Sequence, residues 1–311
     1  MTTVAVETCS SFDRKTVFET YRTRHTTLGE LEIRRALPVR DRRLIGPWCF
    51  LDRYGPITFK GTKPMDVAPH PHIGLQTVSW LLDGEVVHHD SLGFEAIVRP
   101  GGVNVMTAGS GIAHSEETPA QNKGKLDGVQ LWIALPEPQR HIDPTFQHVG
   151  RVPQVDFTGG VAQVFAGDLD GTSSPAKTWS DLVGVDLGLA KKASVRLPAV
   201  AEREYGVVLL GGDAELEGRV LDRDALVYLG RGRAELAFRS GSGARVLVIG
   251  GVPFRETVLM WWNFVARTPE EIAGARADWE EGRRFGPVRA YKGERLPAPP
   301  LAKFARPNPA S

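Results

Sequence analysis

The chain has 311 residues, 41% hydrophobic and 24% charged, with a formal net charge of +1, the profile of a soluble globular protein with room for two domains that each bury a core. So even a balance predicts no large basic surface, and neither nucleic acid nor anionic membrane is expected as a direct partner. No apolar run approaches the roughly 20 residues that cross a bilayer, Met1 to Ser11 lacks a signal-peptide core, and Cys9 and Cys49 make no disulfide framework, so a cytoplasmic location is expected.

Residues 1–28 are polar and carry Arg14, Lys15, Arg22, Arg24 and His25; they read as a mobile arm or as an edge strand laid against the other domain. Residues 31–37 form the first firm strand, Asp41-Arg42-Arg43 breaks it, and residues 48–51 form the next. Lys60-Gly61-Thr62-Lys63-Pro64 is a turn leading to His70-Pro71-His72. Histidines two apart on a strand face the same way, and Pro71 biases His70 toward extended backbone. Val78, Trp80 and Leu82 alternate with Ser79, Leu81 and Asp83, which predicts a half-buried strand, and Asp83-Gly84 reads as a hairpin turn. Residues 85–90 and 94–98 are the next strands, Arg99-Pro100-Gly101-Gly102 stops the second, and 103–107 follows. Ala108-Gly109-Ser110-Gly111 then turns the chain into His114-Ser115-Glu116.

His114 and Glu116 repeat the i, i+2 arrangement of the first pair. Two such pairs on facing walls of a small barrel would bring three imidazoles and one carboxylate to a single ion. That donor set suits iron, nickel, copper, zinc or manganese better than calcium or magnesium, which prefer oxygen shells. All eight histidines lie at or before His148. His88 and His89 are adjacent, so on a strand they face opposite ways, and only one of them can point inward as a donor or base. His25, His141 and His148 read as hydrogen-bonded or solvent-facing.

Pro136-Glu137-Pro138 and Asp143-Pro144 punctuate the exit from the first barrel, which places a boundary near residue 150, with domains 1–150 and 151–311. Residues 207–216 mimic the 81–86 segment, and 225–229, 234–238 and 246–249 continue as strands, which suggests a duplicated barrel. Without histidine the second copy cannot form the same site and reads as structural or as a partner surface. Thr268-Pro269-Glu270-Glu271 is a capping box with proline at the first helical position, and Ile272, Ala275 and Trp279 fall on one face of the helix it opens. Trp261 and Trp262 read as core packing. Beyond Gly286 the chain is rich in proline, with Pro297, Pro299, Pro300, Pro307 and Pro309, and reads as a disordered or surface-draped tail.

His70-Pro71-His72-Ile73-Gly74, the run from Met106 to Ile112 and His114-Ser115-Glu116 together resemble the signatures of the pirins, a branch of the cupin superfamily. Leu51-Asp52-Arg53-Tyr54-Gly55-Pro56, Gly128-Val129-Gln130-Leu131-Trp132, Trp262-Asn263-Phe264-Val265 and Gly282-Arg283-Arg284-Phe285-Gly286 extend the resemblance over nearly the whole chain. It implies an all-β bicupin, two antiparallel, jelly-roll-like barrels with a short C-terminal helix and metal only in the first. The ligands it implies are His70, His72, His114 and Glu116, and the metal most associated with such sites is Fe(II). Two positions depart from the family pattern: Gln76 stands where a glutamate is usual, and Ile73 where an arginine is usual, which bears on hydrogen bonding and charge near the metal.

The activity implied is a quercetin 2,3-dioxygenase-type opening of flavonols by dioxygen with release of carbon monoxide, Glu116 serving as ligand and proton acceptor. The resemblance equally implies an alternative, a non-enzymatic, iron-dependent redox sensor that binds a transcription factor or a metabolic enzyme.

Overall fold

In the computed structural model, which describes residues 17–28, 31–61 and 63–301, nearly every regular element is a strand. The first half runs through β1 (Phe18–Arg22), β2 (Arg24–Leu28), β3 (Leu31–Leu37), β4 (Trp48–Thr58), β5 (Asp66–His72), β6 (Leu75–Gly84), β7 (Val86–Asp90), β8 (Glu95–Val98), β9 (Val103–Thr107), β10 (Ile112–Glu117), β11 (Lys125–Ala134) and β12 (Thr145–Val149). The second continues with β13 (Gln154–Phe157), β14 (Gly160–Leu169), β15 (Thr172–Ser173), β16 (Leu182–Leu189), β17 (Ala193–Pro198), β18 (Glu204–Gly212), β19 (Glu215–Leu216), β20 (Arg219–Val220), β21 (Ala225–Leu229), β22 (Glu235–Ser240), β23 (Ala244–Gly251), β24 (Leu259–Trp261), β25 (Phe264–Ala266) and α1 (Pro269–Glu280).

A seven-stranded sheet, β12-β9-β6-β11-β4-β3-β2, closes over a four-stranded one, β5-β10-β7-β8, to make the first barrel. The second repeats the plan, with β21-β18-β23-β16-β14-β13 over β17-β22-β19-β20. The polar N-terminal segment is divided between them: β1 pairs antiparallel with β21 of the second barrel, and β2 with β3 of the first. Residues 17–22 thus take the edge-strand role; residues 1–16, Cys9 among them, lie outside the described part.

Asp83-Gly84 is not a hairpin. Strand β6 already has β9 on one edge and β11 on the other, so no edge remains for β7, and the chain crosses to the four-stranded sheet. Gly84 allows this with φ +86, where an added Cβ would stand 2.2 Å from the Lys125 carbonyl oxygen. The 207–216 segment behaves alike, β18 and β19 lying in different sheets.

The two long sheets share one buried cluster that includes Trp48, Val78 and Trp80 from the first half and Phe165, Leu226 and Leu247 from the second. Trp80 stacks on Phe165 at 5.2 Å, and Trp48 Nε1 donates to the Gly250 carbonyl at 3.1 Å. Each large apolar side chain buried fully is worth about 2–3 kcal/mol. Several of them together rival the roughly 5–15 kcal/mol net stability of a folded protein, so the halves hold each other in place. The chain end then returns to the first barrel. Val265 N donates to the Ile73 carbonyl at 3.1 Å and Leu296 N to the Pro69 carbonyl at 2.9 Å. Helix α1 starts as its sequence predicts, Thr268 Oγ1 accepting from Glu271 N at 3.3 Å, but the Glu271 carboxylate takes Arg267 N at 3.0 Å instead of closing the box on Thr268. Ile272, Ala275 and Trp279 are its buried face. The tail to residue 301 is draped over the helix, Trp279 Nε1 donating to the Leu296 carbonyl at 2.8 Å.

Candidate metal centre

Strands β5 and β10 are antiparallel neighbours, with His70 directly opposite His114 and His72 opposite Ile112. The two pairs, His70 with His72 and His114 with Glu116, therefore stand on adjacent strands of one wall, not on facing walls as the spacing had suggested. Period-two alternation on each strand and cross-strand register put the side chains on one face and in contact. The three rings lie 4.4 to 5.0 Å apart, and one nitrogen from each falls within 4.8 Å of the others. Pro71 fits because β5 is an edge strand, where a missing N–H costs no ladder bond.

A register shift follows His114, setting Glu116 opposite Val67; such a bulge re-aims the side chain it carries. Glu116 faces the same cavity as the histidines, its Oε1 accepting from Ser79 Oγ at 3.0 Å on the opposite sheet. It is not part of the tight cluster of imidazole nitrogens. Burial raises its carboxyl pKa, the neighbouring His88 and the Ser79 bond pulling the other way.

The second nitrogens are spoken for. His70 Nδ1 donates to the Ala68 carbonyl at 2.9 Å and His72 Nδ1 to the Asn263 carbonyl at 3.0 Å. Carbonyls only accept, so both rings carry hydrogen on Nδ1 and turn a bare Nε2 inward. His72 Nε2 and His114 Nε2 are 3.0 Å apart. Burial lowers the pKa of all three, of His70 to about 4 and of His72 and His114 well below the ordinary value. At neutral pH this is a set of uncharged imidazole donors, the chemistry that first-row divalent metals take, and the three residues could hold such an ion.

The cavity around them measures about 450 Å³, within the range of small-molecule sites. Phe50 and Trp132 stack with centroids 4.1 Å apart along one wall, and His72 meets Trp132 edge-on with centroids 5.2 Å apart. Arg35 grips Asp52 through two bonds of 2.7 Å beside them. Trp262, Asn263 and Leu296 reach in from the C-terminal return. Trp262, expected in the core, is only half-buried and sits with φ +51 in the two-residue turn between β24 and β25.

Of the remaining candidates, His88 turns inward and His89 outward, toward Glu95 and Glu117. Gln76 faces the second barrel: its Nε2 donates to Thr107 Oγ1 and to the Lys177 carbonyl, each at 3.0 Å. The departure at position 76 therefore does not touch the cavity. His25, His141 and His148 are exposed and do not line it. In the second barrel, the strands topologically matching β5 and β10 carry Val195, Leu197, Leu236 and Phe238, all buried. Phe50, Gln130, Asn263 and Leu296 went unsuspected as cavity residues, and Ser79 as the partner of Glu116; the motif runs hold Gln130 and Asn263, but nothing in their spacing says which face they present. Cys49 is free and buried, its thiol pushed up to about 12 by burial.

Two family models match the chain, Pirin over residues 30–133 and the Pirin C-terminal cupin domain over residues 184–286. A Pseudomonas aeruginosa protein named "Putative quercetin 2,3-dioxygenase" is 44% identical, covering 88% of this chain and 87% of its own. A pirin-like protein of Caulobacter vibrioides is 37% identical, covering 89% of this chain and 97% of its own. A solved structure of a protein named quercetin 2,3-dioxygenase from Acinetobacter baumannii is 43% identical with a TM-score of 0.90, covering 93% of this chain and 97% of that one.

Proposed function

The chain belongs to the pirin family, and from that premise we propose that it is a metal-dependent dioxygenase that opens the heterocycle of a flavonol such as quercetin. In this reading His70, His72, His114 and Glu116 hold one divalent ion, Fe(II) first among iron, nickel, copper, manganese and zinc. The observation that carries it is a cluster of three uncharged imidazoles beside a buried carboxylate in a cavity with a flat aromatic wall. The names of the relatives support the substrate class. The first barrel, within residues 1–150, does the chemistry, the second is structural, and the location is cytoplasmic.

When bound, the ion supplies the Lewis-acid and redox chemistry by which an electron-rich enol reacts with dioxygen. The rest falls to the chain. Glu116, made more basic by burial, accepts the proton of the substrate hydroxyl on Oε2 while Ser79 holds Oε1. The Phe50–Trp132 stack orients a planar ring system, and Gln130 and the Arg35–Asp52 pair face its outer hydroxyls. Trp262 and Leu296 limit water at the mouth. Both atoms of dioxygen enter the ring-opened product and one ring carbon leaves as carbon monoxide.

The test is oxygen uptake with quercetin by protein reconstituted separately with each metal, metal content verified, and His72→Ala as control. Metal-dependent uptake with carbon monoxide release is expected, and His72→Ala should contain no stoichiometric metal. Fully loaded protein that consumes no oxygen would overturn the enzymatic reading in favour of a regulator whose iron state alters its affinity for another protein.

A further inference from the structure

We infer that Asp90 and His88 are positioning residues, a relay that fixes His114 in the tautomer whose bare Nε2 points into the imidazole cluster. The inference rests on the metal reading above. His88 and Asp90 sit two apart on β7, opposite Glu116 and His114 of β10, and each is only 3% exposed. His88 Nε2 lies 3.1 Å from Asp90 Oδ2, and His88 Nδ1 lies 3.3 Å from His114 Nδ1.

A carboxylate can only accept, so His88 carries its hydrogen on Nε2. A neutral ring has one such hydrogen, which leaves His88 Nδ1 an acceptor. The hydrogen between the two Nδ1 atoms then belongs to His114, and His114 Nε2 is bare. His72 reaches the same state through the Asn263 carbonyl. Two lone pairs therefore meet at the 3.0 Å separation of His72 Nε2 and His114 Nε2, a buried clash that a cation relieves. The relay strengthens metal binding twice over, by aiming a donor and by making the empty site costly.

The relay is itself held. Asp90 Oδ1 accepts from Leu92 N at 2.9 Å and from Phe94 N at 3.0 Å, and the His88 ring stacks on Phe146 at 4.2 Å with planes 10° apart. Neither His88 nor Asp90 lines the substrate cavity.

Asp90→Asn tests it with little change of shape. The asparagine carbonyl can keep the turn, but its amide must donate to His88 Nε2, which moves the His88 hydrogen to Nδ1 and the His114 hydrogen to Nε2. In the metal-free protein, 15N NMR of the rings should find His114 protonated on Nδ1 in the wild type and on Nε2 in the variant. Nickel affinity, measured by chelator competition, should fall roughly 10- to 100-fold. The metal-free variant should unfold no earlier than the wild type, because His114 can then donate to His72. His88→Phe, which removes the acceptor, gives a second affinity reading. The inference is overturned by wild-type His114 protonated on Nε2, by a doubly protonated wild-type His88, or by affinities of both variants within threefold of wild type. Wild-type protein that takes up no metal would instead sink the metal reading, with the NMR arm still deciding the relay.

Discussion

Gln76→Glu restores the residue usual at that position in the family, and its effect should be on the joint between the barrels, not on the metal. Gln76 is 0% exposed and donates two hydrogen bonds, to Thr107 Oγ1 and the Lys177 carbonyl. A protonated glutamic acid has one hydrogen to give, so one bond is lost, at about 1–2 kcal/mol. It must also keep its proton. With an unfolded-state pKa near 4.3, holding that proton adds about 1.4 kcal/mol per pH unit above it, or about 3.7 kcal/mol at pH 7. The folded-state pKa is raised, so the deficit grows as pH rises and shrinks toward the single lost bond as pH falls to about 4.3. The assay is urea unfolding of metal-free wild type and variant at a series of pH values, with nickel affinity measured beside it. A gap of about 5 kcal/mol at pH 7 that closes to about 1–2 near pH 4.5, at unchanged nickel affinity, is expected. A variant that unfolds like wild type but binds nickel differently would refute the placement of Gln76 between the barrels.

Glu116→Gln keeps the Ser79 contact while removing the proton acceptor, so turnover of quercetin should fall by about 10²–10⁴-fold with the metal largely retained; full activity in a metal-loaded variant would dismiss Glu116 as the base. The metal-free protein should also be acid-sensitive. Burial holds His70 near pKa 4 against 6.5 when exposed, so the unfolded chain takes up the proton first and stability drops as pH falls through 6.5 toward 4. His70 alone contributes about 3 kcal/mol over that window, with His72 and His114 adding in the same sense. Urea midpoints should show this slope and His70→Gln should make it shallower, with the share of His72 and His114 remaining; a flat wild-type profile would contradict the burial of the cluster.

Local signals in the sequence were strong wherever one strand or one cap decides the outcome. Residues 31–37, 103–107 and 225–229 are strands with those same limits, because short runs rich in β-branched and other apolar residues fit a pleated sheet regardless of partner. Thr268 and Pro269 open the helix as read. Pairing was less legible. Asp83-Gly84 has hairpin chemistry, yet whether a turn closes a hairpin depends on whether the strand before it has a free edge, which β9 and β11 decide from elsewhere. Likewise the i, i+2 spacing of His70 and His72 fixed their common face but not that β10 would be the neighbour. The acceptor for His72 comes from Asn263, 191 residues away, and no local pattern reports such a distance.

That distance also explains why a barrel without ligands remains part of the molecule. Val195, Leu197, Leu236 and Phe238 fill the place where the first barrel has its polar cluster, so the second barrel has apolar packing where the first has imidazoles. The first barrel compensates for its buried imidazoles by leaning on the rest of the chain. Its long sheet is backed by Phe165 and Leu247, Asn263 fixes the tautomer of His72, and Leu296 closes the mouth from a tail pinned to Pro69. A cavity lined by buried polar side chains costs a barrel free energy unless those groups find partners. Here the fold keeps it by surrounding it with apolar structure drawn from both halves.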